Sequence, residues 1–303
     1  MRDIIIVGNG PAGLSAAIYA KRAGRDVLVI SDAPNGGGQI ATTYEVDNYP
    51  GLPGVGGMEL GDKFDEHAKK LGCESVLQRV IRIVDCGDHK TVVTDKEEHD
   101  TKTVILAAGA SHSKLGVPGE EEFTGMGVSY CATCDGAFFR KRTVAVVGGG
   151  DVALGDAIFL SRFAKKVYLI HRRDEFRGAK MLQDQVMAID NIEILYDTIV
   201  TEICGTDAID HLVTENVKTK EQSELLVNGV FMAVGIRANI DGIDGLPERD
   251  ASGYIIAGED CVTSIPGVFA AGDVRTKQLR QVVTAVADGA NAVTSIERYL
   301  NEQ

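Results

Sequence analysis

Short apolar runs that end in glycine recur along the chain, and two of them open the same longer pattern. Residues 3–7 and 143–147 are apolar after their first position. Each run is followed by a glycine turn, an amphipathic segment and a second apolar run, at 26–30 and at 166–170. Runs of this length are typical of parallel strands covered on both faces. The pattern therefore predicts two strand–helix–strand units.

The two units are copies of one another. Residues 2–31 align with residues 142–171 without a gap at a constant offset of 140, and ten of the 30 positions are identical. Similarity over a whole strand–helix–strand unit indicates two dinucleotide-binding cores in one chain.

Each copy carries a glycine motif between its first strand and its helix. In such motifs the first glycine makes the tight turn, the second lets backbone approach a pyrophosphate, and the third small residue allows close packing of helix and strand. The helix N-terminus then attracts the phosphates. The candidate binding residues are Gly8, Gly10, Pro11, Ala12 and Gly13 in the first copy, and Gly148, Gly150, Asp151 and Val152 in the second.

The two copies differ where the second strand ends, at the position that usually meets an adenosine ribose. The first copy has Ser31 followed by an aspartate, whereas the second has His171, Arg172 and Arg173, with Arg177 shortly after. Arginine forks bind phosphate oxygens well, so the second site suits the 2′-phosphate of NADPH. A solvated basic patch is the other interpretation. The first site is then expected to bind FAD.

Further strands are predicted at 103–107, 192–196, 225–234, 253–257 and 268–271, and a last helix at 281–300. The run at 268–271 ends in Gly272 and Asp273, where a carboxylate could accept hydrogen bonds from a ribityl hydroxyl; an ordinary turn is the alternative. Glycine and proline breaks place two domain junctions, expected as short strands, at 114–118 and 237–241.

Composition narrows the class of protein. A net charge of −13 disfavours binding to nucleic acid, which needs clustered Lys and Arg. The sequence contains no apolar run of the roughly 18–20 residues that a membrane helix needs, and its first residues do not resemble a signal peptide. No membrane association and a cytoplasmic location are therefore expected. Cysteines 73, 86, 204 and 261 stand alone and are interpreted as small buried hydrophobic residues.

Cys131 and Cys134 form the one close cysteine pair in the sequence. A C-x-x-C pair can be half of a zinc site, a structural accident or a redox dithiol. Zinc usually needs two such pairs, so no metal is expected here. A redox dithiol is favoured because neighbouring cysteines open and close a small disulfide with little backbone movement. Asp135 would place a proton-carrying carboxylate beside the pair, although it could also be only a turn residue.

Together these motifs make the chain similar to the bacterial-type (low-molecular-weight) thioredoxin reductases, class II members of the pyridine nucleotide-disulfide oxidoreductases. The resemblance extends from end to end. It is carried by the two glycine motifs and by the segments at 37–39, 45–51, 131–136, 171–177, 267–273 and 280–281. The sequence departs from the usual pattern at Gly155 and Asp156, where Glu-Glu is more common, and at Ala238, where proline is common.

The resemblance implies a fold, a reaction and a set of contacts. Two Rossmann-like FAD/NAD(P)-binding domains of the α/β, three-layer ββα class are expected, the second inserted into the first: 1–113 and 241–303 would bind FAD, and 114–240 NADPH. Hydride would pass from NADPH to FAD, then to the Cys131–Cys134 disulfide, and finally by exchange to thioredoxin or a thioredoxin-like protein. Cys134 would lie nearest the flavin, and Asp135 would act as the general acid. Further FAD contacts would come from Gly38, Gln39, Asn48, Ala108, Gly109, Gly272, Asp273, Arg280 and Gln281.

The resemblance also implies a homodimer, and an inserted domain that rotates about its two junctions. Rival interpretations are a dithiol oxidase of the same fold, a reductase supplied by ferredoxin, and a non-catalytic redox sensor. The arginines at 172 and 173 weigh against the oxidase, and the second glycine motif weighs against the ferredoxin-dependent enzyme. The sequence leaves the physiological acceptor open, and also which of the two cysteines attacks it.

Overall fold

A computed structural model describes residues 1–34, 36–43 and 45–302 and divides the chain into two compact units. One unit consists of Met1–Ser111 together with the chain from Arg237 onward, and the other is His112–Ile236. The chain passes between them within two short strands. In the described part of the chain no helix is both long and apolar enough to cross a bilayer.

Helices and strands alternate within the two repeated parts of the chain, and runs of consecutive strands follow each part. Up to the first crossing the elements are β1 (Arg2–Val7), α1 (Pro11–Arg22), β2 (Val27–Ser31), α2 (Gly57–Lys70), β3 (Glu74–Leu77), β4 (Val80–Asp85), β5 (Lys90–Thr94), β6 (Glu98–Leu106) and β7 (Ala110–His112). The second unit adds β8 (Val128–Ser129), α3 (Ala132–Asp135), β9 (Thr143–Gly148), α4 (Asp151–Ser161), β10 (Lys166–Ile170), α5 (Lys180–Met187), β11 (Ile192–Leu195), β12 (Thr198–Gly205), β13 (Ile209–Asn216), β14 (Gln222–Leu226) and β15 (Gly229–Ala233). After the return come β16 (Ile236–Ala238), β17 (Val268–Ala270) and α6 (Val282–Asn301).

The first unit is built on one sheet whose described strands run in the order β3-β2-β1-β6, with β17 also beside β6. These strands are parallel to one another, whereas β4 and β5 extend the sheet in antiparallel fashion. The apolar run of β1 explains its central position, because Ile4, Ile5 and Ile6 are fully buried. Helices α1 and α6 pack together, and their buried alanines join the core of β1 and β2.

The second unit repeats the arrangement around the second copy of the sequence pattern. Its parallel sheet has the order β11-β10-β9-β15-β8, and a separate antiparallel sheet contains β12, β13 and β14. Each unit therefore has a parallel sheet with a strand–glycine turn–helix–strand core, which is the α/β class that the repeat predicts.

Several predicted elements need correction. The run at 225–234 is two strands, β14 and β15, which belong to different sheets: the Val227 N–H donates to Asp210 and the Asn228 N–H to Thr143. Residues 253–257 form no strand, because Ile255 makes only isolated bridges to Arg249 and Arg275. Apolar content alone did not reveal these interruptions.

The first connection lies before the predicted junction at 114–118, whereas β16 overlaps the predicted junction at 237–241. Residues 114–117 have no regular structure, and the first crossing lies in β7, earlier in the chain. In each unit a backbone hydrogen bond joins the two connecting segments. The Ser113 N–H donates to Gly235 O in the second unit, and the Asn239 N–H donates to Gly109 O in the first.

Two helix glycines test the packing of this fold. A Cβ on Gly289 of α6 would lie 2.3 Å from the backbone oxygen of Ala12, whereas a Cβ on Gly155 of α4 would enter open space. Gly289→Ala should lower the free energy of unfolding by about 1–2 kcal/mol, because overpacking outweighs the gain in helix propensity. Gly155→Ala, the matched control, should raise it by up to about 1 kcal/mol. Urea unfolding followed by circular dichroism measures both; a Gly289→Ala protein as stable as wild type would contradict the close packing of α1 and α6.

Candidate active site

The first glycine motif forms a tight turn. One side of the turn packs against backbone atoms, and the other side is open among the described residues. Gly8 has φ +110°, and a Cβ there would lie 2.4 Å from the oxygen of Ala107, the residue that follows the neighbouring strand β6. A Cβ on Gly13 would lie 2.0 Å from Gly8 O. Gly10, by contrast, caps α1 and faces open space among the described residues, with Pro11 as the first helical residue. The open side of Gly10 and the N-terminus of α1 together form a cradle for an anion.

Segments distant in sequence meet this turn. A Cβ on Gly272 would lie 2.8 Å from the Cβ of Ala12, and a Cβ on Gly38 would lie 3.4 Å from the Cα of Gly10. Gln39 belongs to the same 3-10 turn as Gly38. The amide of Asn48 donates to Gln281 Oε1 at 2.8 Å, although 233 residues separate the two. Candidate residues from both halves of the first unit are thus brought together.

The remaining candidates of this unit lie at strand ends. Ala108 and Gly109 follow β6, and the Asn239 side chain donates to Ala108 O at 3.1 Å. Ser31 ends β2, and its Oγ accepts the Ala33 N–H at 3.1 Å. A cavity of about 210 Å³ lies beside Ser31, and its lining includes Asn9 of the glycine motif.

Asp273 is a partly buried residue that holds one carboxylate oxygen, Oδ1, away from solvent. Its Oδ1 has no hydrogen-bond partner among the described residues. Burial raises the pKa of Asp273, an effect that the nearby Lys277 and Arg280 oppose. Arg280 lies over the ring of Tyr254 at 4.0 Å and donates to Asp273 O at 3.4 Å. Because buried acceptors are nearly always paired in proteins, Asp273 Oδ1 indicates a place for a donor that the described residues do not supply.

Asp288 of α6 holds the turn that carries Asp273. It is 4% exposed, and it accepts the Gly272 N–H at 2.9 Å. Arg275 binds both of its oxygens, at 2.9 and 2.7 Å, and Lys277 binds Oδ2 at 2.9 Å. Burial raises the pKa of Asp288, but these cations and hydrogen bonds outweigh it and hold the pKa below the usual range. The carboxylate therefore stays charged and fixes the turn.

The second unit repeats the first glycine turn. A Cβ on Gly148 would lie 2.4 Å from Ala233 O, and a Cβ on Gly149 would lie 2.2 Å from the ring of His171. Gly150 caps α4 and faces open space among the described residues. Asp151 Oδ1 accepts the Ala179 N–H at 2.6 Å, and the side chain of Val152 is exposed.

The basic cluster lies directly beside this turn. Arg172, Arg173 and Arg177 are exposed, and the backbone N–H of Arg177 donates to Gly149 O at 2.8 Å. None of the three guanidinium groups has an ion-pair partner within the part of the chain that the structure describes. Burial lowers the pKa of His171, and the arginines lower it further, so this ring packs as a neutral group. The cluster offers positive charge to an anion at the glycine turn.

Cys131 and Cys134 are joined by a disulfide bond in the short helix α3, with their Cα atoms 5.3 Å apart. The Cys134 N–H donates to Cys131 Sγ at 3.2 Å, so a sulfur atom of the disulfide accepts a hydrogen bond that stabilises the turn. Both cysteines are partly exposed. A disulfide that closes a small loop at the surface can exchange with a second protein.

Asp135 follows the disulfide directly. Burial raises the pKa of its carboxyl group, while a hydrogen bond from the Ser129 hydroxyl, at 2.6 Å, lowers it. The net direction is upward, which brings this acid closer to the pH range in which it can exchange a proton with a thiol.

Comparison with known proteins places this arrangement in a family. Residues 2–289 match the family model described as pyridine nucleotide-disulphide oxidoreductase. The chain belongs to this family. Thioredoxin reductase of Mycolicibacterium smegmatis is 45% identical over 305 residues, covering 100% of this chain and 98% of that protein. Thioredoxin reductase of Bacillus subtilis is 41% identical over 301 residues, covering 99% and 95%.

A solved structure shares the fold of this pyridine nucleotide-disulphide oxidoreductase. The crystal structure of thioredoxin reductase from Streptococcus pyogenes MGAS5005 superposes with a TM-score of 0.94 at 44% identity, covering 100% of this chain and 99% of that one. The sequence relatives and this structure match the chain over its full length, so the similarity includes both units.

Sequence reasoning missed three residues that organise these sites. Asp288 could have been found as a charged position on the otherwise small and apolar face of α6, which includes Ala285 and Ala292. Ser129 gave no signal. Neither did Glu120, which is 1% exposed, accepts the N–H groups of residues 115 and 116, and accepts the hydroxyl of Tyr130 at 2.9 Å. Glu120 thereby ties the residue before the disulfide to the start of the second unit.

Proposed function

We propose that this protein is an NADPH-dependent thioredoxin-disulfide reductase with FAD as its bound cofactor. The observation that carries the proposal is the Cys131–Cys134 disulfide, formed in the same unit as an arginine-flanked glycine turn. A pyridine nucleotide site, a second dinucleotide site and an exchangeable disulfide are the parts that this reaction needs.

FAD fits the first unit. The open side of Gly10 suits a pyrophosphate, and the unmet Oδ1 of Asp273 suits a ribityl hydroxyl, which can donate a hydrogen bond. When bound, FAD accepts hydride from NADPH and supplies the two electrons that reduce the disulfide. We assign its binding to Gly8, Gly10, Pro11, Ala12, Gly13, Ser31, Gly38, Gln39, Asn48, Ala108, Gly109, Gly272, Asp273, Arg280 and Gln281.

NADPH fits the second unit. The turn at Gly148 and Gly150 would receive the pyrophosphate, and the guanidinium groups of the basic cluster would bind the 2′-phosphate. Asp151 and His171 shape the turn, because Asp151 accepts the Ala179 N–H and His171 packs beside it as a neutral ring. The assigned residues are Gly148, Gly150, Asp151, Val152, His171, Arg172, Arg173 and Arg177.

The residues at the disulfide carry out thiol–disulfide exchange and proton transfer. Reduction breaks the Cys131–Cys134 bond and takes up two electrons and two protons, giving two thiols. In the exchange that follows, one thiolate attacks the acceptor disulfide, a mixed disulfide forms, and the second cysteine displaces the acceptor and restores the original bond. The acceptor leaves with both electrons as a dithiol. Asp135, held beside the turn, donates a proton to a departing thiolate.

Thioredoxin or a thioredoxin-like protein is the proposed acceptor. The inserted unit carries both the arginine cluster and the disulfide, and we propose that it presents them in turn by rotating about the two connecting segments. A homodimer and a cytoplasmic location complete the proposal. The free thiols at positions 73, 86, 204 and 261 agree with a reducing compartment.

Replacement of both Arg172 and Arg173 by alanine tests the choice of donor. The double variant should raise the KM for NADPH by about tenfold or more, because charge-assisted contacts to the 2′-phosphate are lost. The KM for NADH, which lacks that phosphate, should stay nearly unchanged. Steady-state kinetics with both donors measures the difference.

A matched control removes the same charge elsewhere. Arg22 and Arg298 are residues of the first unit, and Arg22→Ala/Arg298→Ala should leave both KM values unchanged. Equal losses for NADPH and NADH in the Arg172/Arg173 variant would contradict the assignment of the cluster.

Cys134→Ser tests the role of the disulfide. The variant should retain FAD and its reduction by NADPH, yet lose NADPH-dependent reduction of thioredoxin, because no Cys131–Cys134 bond can form. Absorbance of the flavin and turnover with thioredoxin measure the two reactions separately. Cys86→Ser, which removes an exposed free thiol, should lose neither. Thioredoxin turnover at the wild-type rate in Cys134→Ser would remove the pair from the mechanism, and wild-type protein that cannot turn over would favour a redox sensor instead.

A further inference from the structure

The hydroxyl group of Ser129 connects the acid to the disulfide turn. Ser129 ends β8 and is 5% exposed. Its Oγ lies 2.6 Å from Asp135 Oδ2 and 3.1 Å from the backbone nitrogen of Cys131. A third atom, Cys131 O, lies at 3.4 Å.

Donor and acceptor chemistry determines how this hydroxyl is used. A serine hydroxyl has one hydrogen to donate and two lone pairs to accept. The Cys131 N–H is a donor, so it occupies a lone pair of Oγ. The single hydrogen goes to the shortest contact, the ionised carboxylate of Asp135, where a hydrogen bond is strengthened by charge. One small group thereby orients the carboxylate and the first peptide N–H of the disulfide turn together.

Burial is the largest influence on the pKa of Asp135, and the Ser129 hydrogen bond comes second, ahead of any charged side chain nearby. Helix α3 packs against α4 and against the 3-10 turn Gly136–Phe139. Helix α4 carries Asp151 and Asp156, and Arg140 and Lys141 follow the turn. The strand next to β8, β15, carries no titratable group. Only burial and the Ser129 hydrogen bond shift the pKa of Asp135, and they act in opposite directions.

We propose that Ser129 is the positioning residue for Asp135: its hydroxyl aims the carboxylate at the disulfide turn and stabilises the ionised form between proton transfers. The inference rests on the function proposed above, in which Asp135 exchanges protons with thiolates. Within the residues that the structure describes, Ser129 has no sulfur at hydrogen-bond distance, so it acts through Asp135.

The test is the pH dependence of kcat/KM for thioredoxin in Ser129→Ala holoenzyme. Loss of the hydrogen bond removes stabilisation of the carboxylate, so the limb of the profile that belongs to Asp135 should move to higher pH, by about one unit. Asp135→Asn identifies that limb, because it should abolish it. Ser129→Thr retains a hydroxyl and should restore the wild-type profile.

Two further measurements separate positioning from a general structural role. The double variant Ser129→Ala/Asp135→Asn should have the same pH profile as the single variant Asp135→Asn. Without the Asp135 carboxylate, the Ser129 hydroxyl has no acid to position. Ser161→Ala is the matched control: it removes a serine hydroxyl that bonds Ile158 O in the same unit, and should not move the limb.

The failure of this inference can be distinguished from failure of the proposed function. NADPH should bleach the flavin of Ser129→Ala as fast as that of wild type. If NADPH does not reduce wild-type protein, the proposed function fails. If wild type reduces thioredoxin and the limb stays in place in Ser129→Ala, or moves equally in Ser161→Ala, the role of Ser129 is overturned.

Discussion

Both units of this molecule depend on one close approach, between a glycine at the end of the first strand and the backbone of a neighbouring segment. A Cβ would lie 2.4 Å from Ala107 O at Gly8 and 2.4 Å from Ala233 O at Gly148, so any side chain at either position would push the sheet apart. A helix begins immediately after each turn, at Pro11 and at Asp151. Its N-terminus then faces the open side of the turn, where an anion can bind.

The two copies of this scaffold differ at the ends of their second strands, and we propose that this difference assigns a different nucleotide to each copy. Ser31 leaves the first site without a cationic cluster, whereas the second copy places three arginines beside its turn. In the first unit, the FAD site that we propose draws on residues from far along the chain, through the Asp273 turn that Asp288 holds. The disulfide belongs to the unit with the arginines, so donor recognition and exchange chemistry share one body that is connected to the first unit through two short strands.

The parts of the fold that sequence predicts well are those with a local cause. Apolar runs and glycine spacing predicted β1, α1 and β2 and their copies, and β10 has the predicted bounds of 166–170. Strands β4 and β12 were missed because they mix apolar and charged residues, such as Arg82 and Glu202, in partly exposed antiparallel pairs. Contacts such as Asn48 with Gln281, and Ser129 with Asp135, follow from the folded geometry and have no signature along the chain.

Chemistry at the disulfide combines a partly exposed sulfur pair with a partly buried acid. Exposure lets the pair meet another protein, while burial keeps the pKa of Asp135 above its ordinary value and Ser129 limits that rise.

The most direct measurement is an anaerobic titration of the FAD-loaded protein with NADPH, followed by a count of thiols after denaturation. Four cysteines are free and two are joined, so oxidised protein should show four thiols and reduced protein six. We expect NADPH to bleach the flavin and to add the two thiols of Cys131 and Cys134. Bleaching of the flavin with the count still at four would contradict electron transfer to the disulfide.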